Sequence, residues 1–358
     1  MSDRIFHRSY RLTPAQALLL QAVLLKGQAA LSAWEQWQSE VDIEILDANS
    51  YVLLPQLYQN LLTHDVEHPH MARLKGIYRH TWYANQLKLK QLKILTSHLK
   101  DVGIETLLFG DAALYACQTE NYRLMSNFHL LVHSAELESA VKQLTCLDWQ
   151  ISGVISQESI HLQNDRSDSL YLQGRLFWAI PQDYTDEKVW QYATFIEGDL
   201  TGWMLSPTDQ LLDGCVKTFF KNRSRQIHGI ADALILIQKS GNDLDWMRLI
   251  TQAQRYQMIL PVRNMLILLQ QVLQLRAPSW VLPALFQMPI SQAEWQNYQV
   301  LAGDRQSFVR STLTPLLNYL ENRLLYLGHR PFPGRGILKS FLRSRKSALE
   351  WLRKCSLI

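Results

Sequence analysis

The sequence predicts an α+β fold in which a central core of short strands and helices is flanked by helical regions on both sides. Three observations carry this. Apolar residues recur at helical spacing through the first hundred positions, short β-like runs separated by turn residues occupy positions 105–177, and helical spacing returns after Ser206-Pro207. The implied organisation is an N-terminal helical region at 1–100, an α/β core at 101–204, a C-terminal helical region at 205–328 and a basic amphipathic tail at 329–358. A core of roughly a hundred residues is an ordinary domain size.

The elements follow in chain order. Thr13-Pro14 opens a helix, because Thr suits the N-cap and Pro the first turn; Leu18, Leu19, Val23 and Leu24 then share a face. A second helical region covers 49–62 on the stripe Leu53, Leu54, Leu57, Tyr58, Leu61 and Leu62, and a third covers 71–100, where alternating Leu and Lys read as a surface helix. The pattern changes at Val102-Gly103. Runs at 105–109, 128–132, 150–155, 159–163 and 169–177 read as strands. Between them Ser134 is expected to cap a helix with Glu136 and Glu138 in its first turn and Leu137, Val141 and Leu144 on its inner face. Further helices are expected at 208–220, 225–238, 245–255, 261–275 and 291–327, with Ser240-Gly241-Asn242 as a stop.

Composition excludes several classes. The 358 residues are 47% hydrophobic and 19% charged, which excludes a disordered or collagen-like chain. No apolar run reaches the ~18 residues of a membrane span, and the first residues carry no secretory pattern. Four cysteines, Cys117, Cys146, Cys215 and Cys355, stand far apart without a CxxC pair, which fits reduced thiols and a cytoplasmic protein. Net charge is +4, but Arg330–Ile358 holds eight Lys/Arg against Glu350 alone. The tail therefore carries a local positive field and the body has no global one, so nucleic acid is not an expected partner.

At Gly103–Val132 the sequence acquires a likeness. Gly103-Ile-Glu-Thr-Leu-Leu-Phe-Gly-Asp-Ala-Ala-Leu, then Arg123-Leu-Met-Ser-Asn-Phe-His-Leu-Leu-Val, resembles the core of a broad, largely uncharacterised bacterial nucleotidyltransferase family. That family typically reads GI…LLKGxAL, R…MxDIDLLV and a later strand VDLHW. Leu205-Ser-Pro-Thr-Asp-Gln-Leu-Leu, His228-Gly-Ile-Ala-Asp232 and Tyr51-Val-Leu-Leu-Pro-Gln-Leu-Tyr fit its flanking helical parts, so the likeness spans about 45–280. It implies a nucleotidyltransferase-like small mixed sheet.

The resemblance also directs attention to missing carboxylates. Nucleotidyl transfer uses divalent metal held by acids, which neutralises triphosphate charge and activates the attacking hydroxyl. Two acids at i and i+2 on a strand face the same way, and a third on a neighbouring strand completes the cage. Here those positions hold Asn127, His129 and Tyr171; the family's motif lysine is Phe109, its strand histidine Gln173 and its tryptophan Gly174. Magnesium prefers hard oxygen donors, and an imidazole suits zinc or nickel better. The expected result is a fold that has lost metal-dependent chemistry, with Gly110, Asp111, Arg123, Ser126, Asn127, His129, Tyr171 and Gln173 lining a vestigial cleft, no catalytic residue, no bound metal and no cofactor.

Other clusters admit more than one reading. His129, His133 and His161 would form a transition-metal site or else polar residues lining the vacated cleft, the latter preferred because no ligand spacing enforces the former. His64, His68 and His70 read as a solvated loop. Gly110 with Ser126 offers backbone N–H groups to a phosphate, or is a tight turn. Arg123, Lys217, Lys221, Arg223 and Arg225 would line an anion site, with an ordinary basic helix end preferred. Trp34, Trp37, Trp178 and Trp190 read as core or interface anchors. In the tail, Leu338, Phe341, Leu342, Leu349 and Leu352 form one helical face and Lys339, Arg343, Lys346 and Arg353 the other, a pattern that suits a partner groove, an anionic membrane surface or the chain's own core.

These readings converge on a non-catalytic binding or accessory scaffold, a pseudoenzyme with a protein partner. One alternative is an active transferase with relocated ligands, for which Asp111 is the candidate and magnesium and a nucleoside triphosphate are the cofactors. Another is a peripheral membrane protein held by the tail.

Overall fold

The computed structural model describes residues 12–117, 123–177, 186–198, 200–220 and 226–301. These belong to a unit spanning Met1–Ala302. The tail residues Lys339, Arg343, Lys346 and Arg353, and the part of the 291–327 helix beyond Leu301, lie outside the described residues.

The chain opens with α1 (Pro14–Leu24), α2 (Gln28–Glu40), the single turn α3 (Ala48–Tyr51), α4 (Leu54–Leu62) and the long α5 (His70–Asp101). Thr13 caps α1 as expected, in a capping box with Gln16. The 49–62 region is two helices, not one: Pro55 sits in the first turn of α4, where its missing N–H costs nothing and its ring bars continuation from α3. The sheet and its helices follow: β1 (Leu107–Leu108), α6 (Asp111–Cys117), β2 (Phe128–Leu131), α7 (Leu137–Thr145), β3 (Gln150–Ser156), β4 (Ser159–Gln163), β5 (Ser169–Gln173), α8 (Glu187–Gln191), β6 (Thr194–Ile196) and β7 (Gly202–Met204). Helices α9 (Pro207–Phe220), α10 (Gln226–Ser240), α11 (Trp246–Arg255), α12 (Ile259–Leu273), α13 (Val281–Gln287) and α14 (Gln292–Leu301) complete it.

The seven strands form one mixed sheet in the order β3-β4-β5-β2-β1-β7-β6. β2 pairs with β5 in parallel and with β1 antiparallel, so its position 129 stands directly beside position 171. This is an α+β architecture, as the sequence predicts. Strands β6 and β7 were not anticipated; they are three residues each, with Phe195 and Trp203 half exposed, and lack the alternation that marks longer strands. Ser134 does not cap α7. Its hydroxyl donates to the Gly174 carbonyl, and a 3-10 turn (Ser134–Glu136) leads into the helix instead.

Two apolar cores flank the sheet. Phe128, Leu130, Leu170 and Leu172 face Leu89, Leu92, Leu95 and Leu99 of α5 and Val141 and Leu144 of α7. Phe109 and Leu131 join the other core, which draws α1, α2, α4, α9, α10 and α12 together. Every residue of β2 is buried, and strict side-chain alternation sends His129 away from the α5 core and toward α9 and α10. No helix among the described residues is long and apolar enough to cross a membrane.

Candidate functional site

A cavity of about 560 Å³ lies between the β1–β2–β5 strands and helices α9 and α10. Seven of the eight cleft residues named from sequence line it: Gly110, Asp111, Arg123, Ser126, Asn127, His129 and Tyr171. Gln173 does not. Its amide donates to Ser159 and its backbone carbonyl accepts from Val132, so it belongs to the sheet rather than to the cavity.

The strand wall is aromatic. His129 and Tyr171 stack with ring centres 5.1 Å apart and planes 13° from parallel, and Tyr171 stacks in turn on His161 at 4.6 Å. Phe109 meets the other side of His129 at 5.2 Å. The turn that follows needs its glycine: Gly110 has φ +67°, and a Cβ there would sit 3.0 Å from the His129 ring and 3.3 Å from Lys217 Nζ.

Beyond Gly110 the chain builds a buried charge bridge. Asp111 opens α6; its Oδ1 accepts from Arg123 Nη2 at 2.7 Å, and its Oδ2 accepts from the Ser126 backbone N–H at 2.7 Å and hydroxyl at 2.8 Å. Arg123 also donates through Nε and Nη2 to both oxygens of Asp232 on α10. Its guanidinium is 3% exposed, so the pairing is desolvated. Asn85 on α5 holds the loop, its amide donating to the Arg123 carbonyl and accepting from Met125 N–H. Burial alone would raise the Asp111 carboxyl, but the charge and hydrogen bonds of Arg123, the Ser126 amide and the charge of His228 hold it well below the ordinary carboxylate range. Burial likewise opposes the charge on Arg123, and Asp111 and Asp232 outweigh it and push its pKa up.

The helical wall was largely unforeseen. Gln210, Asp213 and Lys217 project from α9 and His228 and Asp232 from α10. Lys217 Nζ lies 2.7 Å from Asp213 and 4.4 Å from the centre of the Phe109 ring, so it turns inward and is not a solvated helix end. Arg123 and Lys217 are thus brought together as the anion-site reading required, but each is matched to carboxylates. Lys221, Arg223 and Arg225 lie outside the described residues. Gln210 is 4% exposed, and its Nε2 has no hydrogen-bond partner among the described residues.

The histidine clusters separate. His133 leaves the sheet and stacks on Trp190 at 4.0 Å. His64 is a structural tie rather than a solvated residue: its Nε2 accepts from Gly27 N–H, and Nδ1 contacts the Asn60 carbonyl. Trp34 and Trp37 are core anchors, 5.7 Å apart and stacked, while Trp178 lies outside the described residues. Among the described residues no three His, Cys, Asp or Glu side chains are grouped to hold a metal ion.

The family comparison bears on this cavity. The profile of a family described as "Uncharacterised nucleotidyltransferase" matches residues 48–274, from α3 through the sheet to the end of α12. The chain belongs to that family. Among solved structures it is similar to the crystal structure of an antigenic nucleotidyltransferase-like protein from Paracoccidioides brasiliensis, at 16% identity over 58% of this chain and 96% of that one, with a TM-score of 0.36. No curated protein matches. The nucleotidyltransferase match takes in every residue that lines the cavity.

The donor set does not fit a pair of magnesium ions. The strand positions offer an amide, an imidazole and a phenol, Asp111 and Asp232 are bound to Arg123, and the third lining carboxylate, Asp213, is paired with Lys217.

Proposed function

We propose that this member of the nucleotidyltransferase family binds a ligand in the cavity and acts as an accessory protein, without metal-dependent nucleotidyl transfer. The observation that carries this reading is the stack of His129 on Tyr171 at 5.1 Å. Two paired strand positions facing the cavity hold flat rings packed against one another, where the resemblance leads one to expect carboxylates. The relocated-ligand alternative rests on Asp111, and both oxygens of that carboxylate are already bonded to Arg123 and Ser126. Recasting it as a metal ligand would strip a buried guanidinium of one counter-charge, which costs several kcal/mol.

What remains suits binding. The wall combines stacked rings, the Lys217–Asp213 pair, and the side chains of Ser126 and Thr218 around a partly open volume. The test uses the full chain with each nucleoside triphosphate, with and without magnesium. A ligand present at a hundred times its Kd raises stability by ~2.7 kcal/mol, so a nucleotide that occupies the cavity shifts the melting midpoint upward. The expected result is no transfer of α-labelled nucleotide to protein or RNA acceptors under the same conditions. Magnesium-dependent transfer above background would overturn the proposal.

A further inference from the structure

We propose that the outer face of α5 is a docking surface for an anionic lipid bilayer. The inference is independent of what the cavity does. α5 is 32 residues long, about 48 Å. Its inner stripe of Leu74, Leu89, Leu92, Leu95 and Leu99 is buried, so the helix cannot roll to hide its other side.

That other side is unusually apolar for a solvent face. Tyr83 is 60% exposed, Trp82 51%, Leu87 49% and Ile94 46%. At ~100° per residue, Tyr83, Leu87 and Ile94 fall within an arc of about 40°. Lys75, Arg79, Lys90, Lys93 and Lys100 are exposed along one flank of this arc, with Trp82 among them. None of the five forms an ion pair with a described residue. Of the two remaining cations of the helix, Lys88 is held by Asp168 at 2.9 Å and Arg73 by Glu44.

Charge selects the occupant. α5 holds seven Lys/Arg and one acid, Asp101, whereas the rest of residues 1–302 holds 28 Asp/Glu and 18 Lys/Arg. The positive field is therefore concentrated on a helix embedded in an acidic body, and it faces outward beside apolar side chains. A strip of Leu, Ile, Tyr and Trp bordered by unpaired Lys and Arg matches the boundary between acyl chains and anionic headgroups. Tyr and Trp favour that boundary because one end of each ring system is polar. A duplex nucleic acid would meet the cations but leave Leu87 and Ile94 against phosphate, with no apolar surface to cover them.

The experiment is co-sedimentation of the full chain with phosphatidylcholine vesicles, alone or with about 30% phosphatidylserine. The wild type is expected to partition onto the anionic vesicles and to be released by high salt. Each cation near such a surface contributes about a fivefold factor, so Lys90→Gln/Lys93→Gln should lower the partition coefficient about 25-fold. Leu87→Ser/Ile94→Ser should lower it at constant charge. The basic tail is itself a candidate for lipid binding, so the α5 variants carry the test. Equal partition of the wild type and both double variants would overturn the proposal, as would absence of wild-type binding. Tighter binding to duplex DNA than to anionic vesicles at matched ionic strength would overturn it too.

Discussion

Arg123 reaches across 109 residues of sequence to grip Asp232, donating from Nε to both carboxylate oxygens at 2.9 and 3.0 Å and from Nη2 to one of them at 2.7 Å. The same Nη2 donates to Asp111 at 2.7 Å. One guanidinium thus fastens the helix after β1 to α10 and closes one end of the cavity.

Arg123→Met should consequently be severe. It leaves two carboxylates buried without their counter-charge, and breaking a buried pair from one side costs about 3–5 kcal/mol. Urea titration of the variant should show the midpoint falling by a corresponding amount. Adding Asp232→Leu should recover part of the loss, because it removes one of the stranded charges. A single variant within 1 kcal/mol of wild type, a tolerance ordinary for exposed sites, would show that the bridge is not desolvated in solution.

Acid should expose the same bridge. The Asp111 carboxyl is depressed in the folded state, so its contribution is complete above the unfolded value of about 3.9 and is lost as pH falls through the lower folded value. Asp186 and Asp209 behave in the opposite sense. Burial raises both, against the Leu176 amide and Tyr256 hydroxyl for the first and Arg248 for the second, so their ionisation costs stability above the unfolded value. Thermal midpoints should therefore rise slightly from pH 7 toward pH 5 and drop steeply below about pH 4. Asp186→Asn should flatten the upper limb and leave the acid limb in place.

How much of this was legible depends on which wall of the cavity is considered. The strand wall was readable because β2 and β5 are bounded apolar runs whose alternation puts Asn127 and His129 on one face, and the parallel register then brings Tyr171 beside His129. Of the helical wall only Lys217 was named, as a possible anion ligand; Asp213, His228 and Asp232 enter about a hundred residues later and their approach is a tertiary fact. A local signal did exist: Asp213 and Lys217, and His228 and Asp232, are spaced i,i+4 and so share a helix face. Helix α2 was missed for a different reason. Gln28–Glu40 buries only Ala30, Ala33, Trp34 and Trp37, too few apolar positions for a strong helical period.

Gly229 offers a test of how α9 and α10 close over the cavity. A Cβ built at this position would stand 2.0 Å from Thr218 Oγ1 and 3.2 Å from Thr218 Cβ. Rotating the threonine hydroxyl away does not relieve the second contact, because Cβ is fixed by the backbone. Gly229→Ala should gain ~1 kcal/mol from helix propensity in isolation. Overpacking costs ~1–3 kcal/mol, and here it also forces two helices apart, so a net loss of stability is expected. Thr218→Ala alone should be mild, since it removes a hydroxyl that donates to the Gly214 carbonyl of its own helix at 2.8 Å. The two residues touch, so their effects should not add. The double variant keeps Thr218's Cβ but frees the space of Oγ1 and Cγ2, and it should be more stable than Gly229→Ala by a margin readable in a double-mutant cycle of denaturation midpoints. Strict additivity would mean that the helices approach less closely than the built Cβ–Oγ1 separation implies.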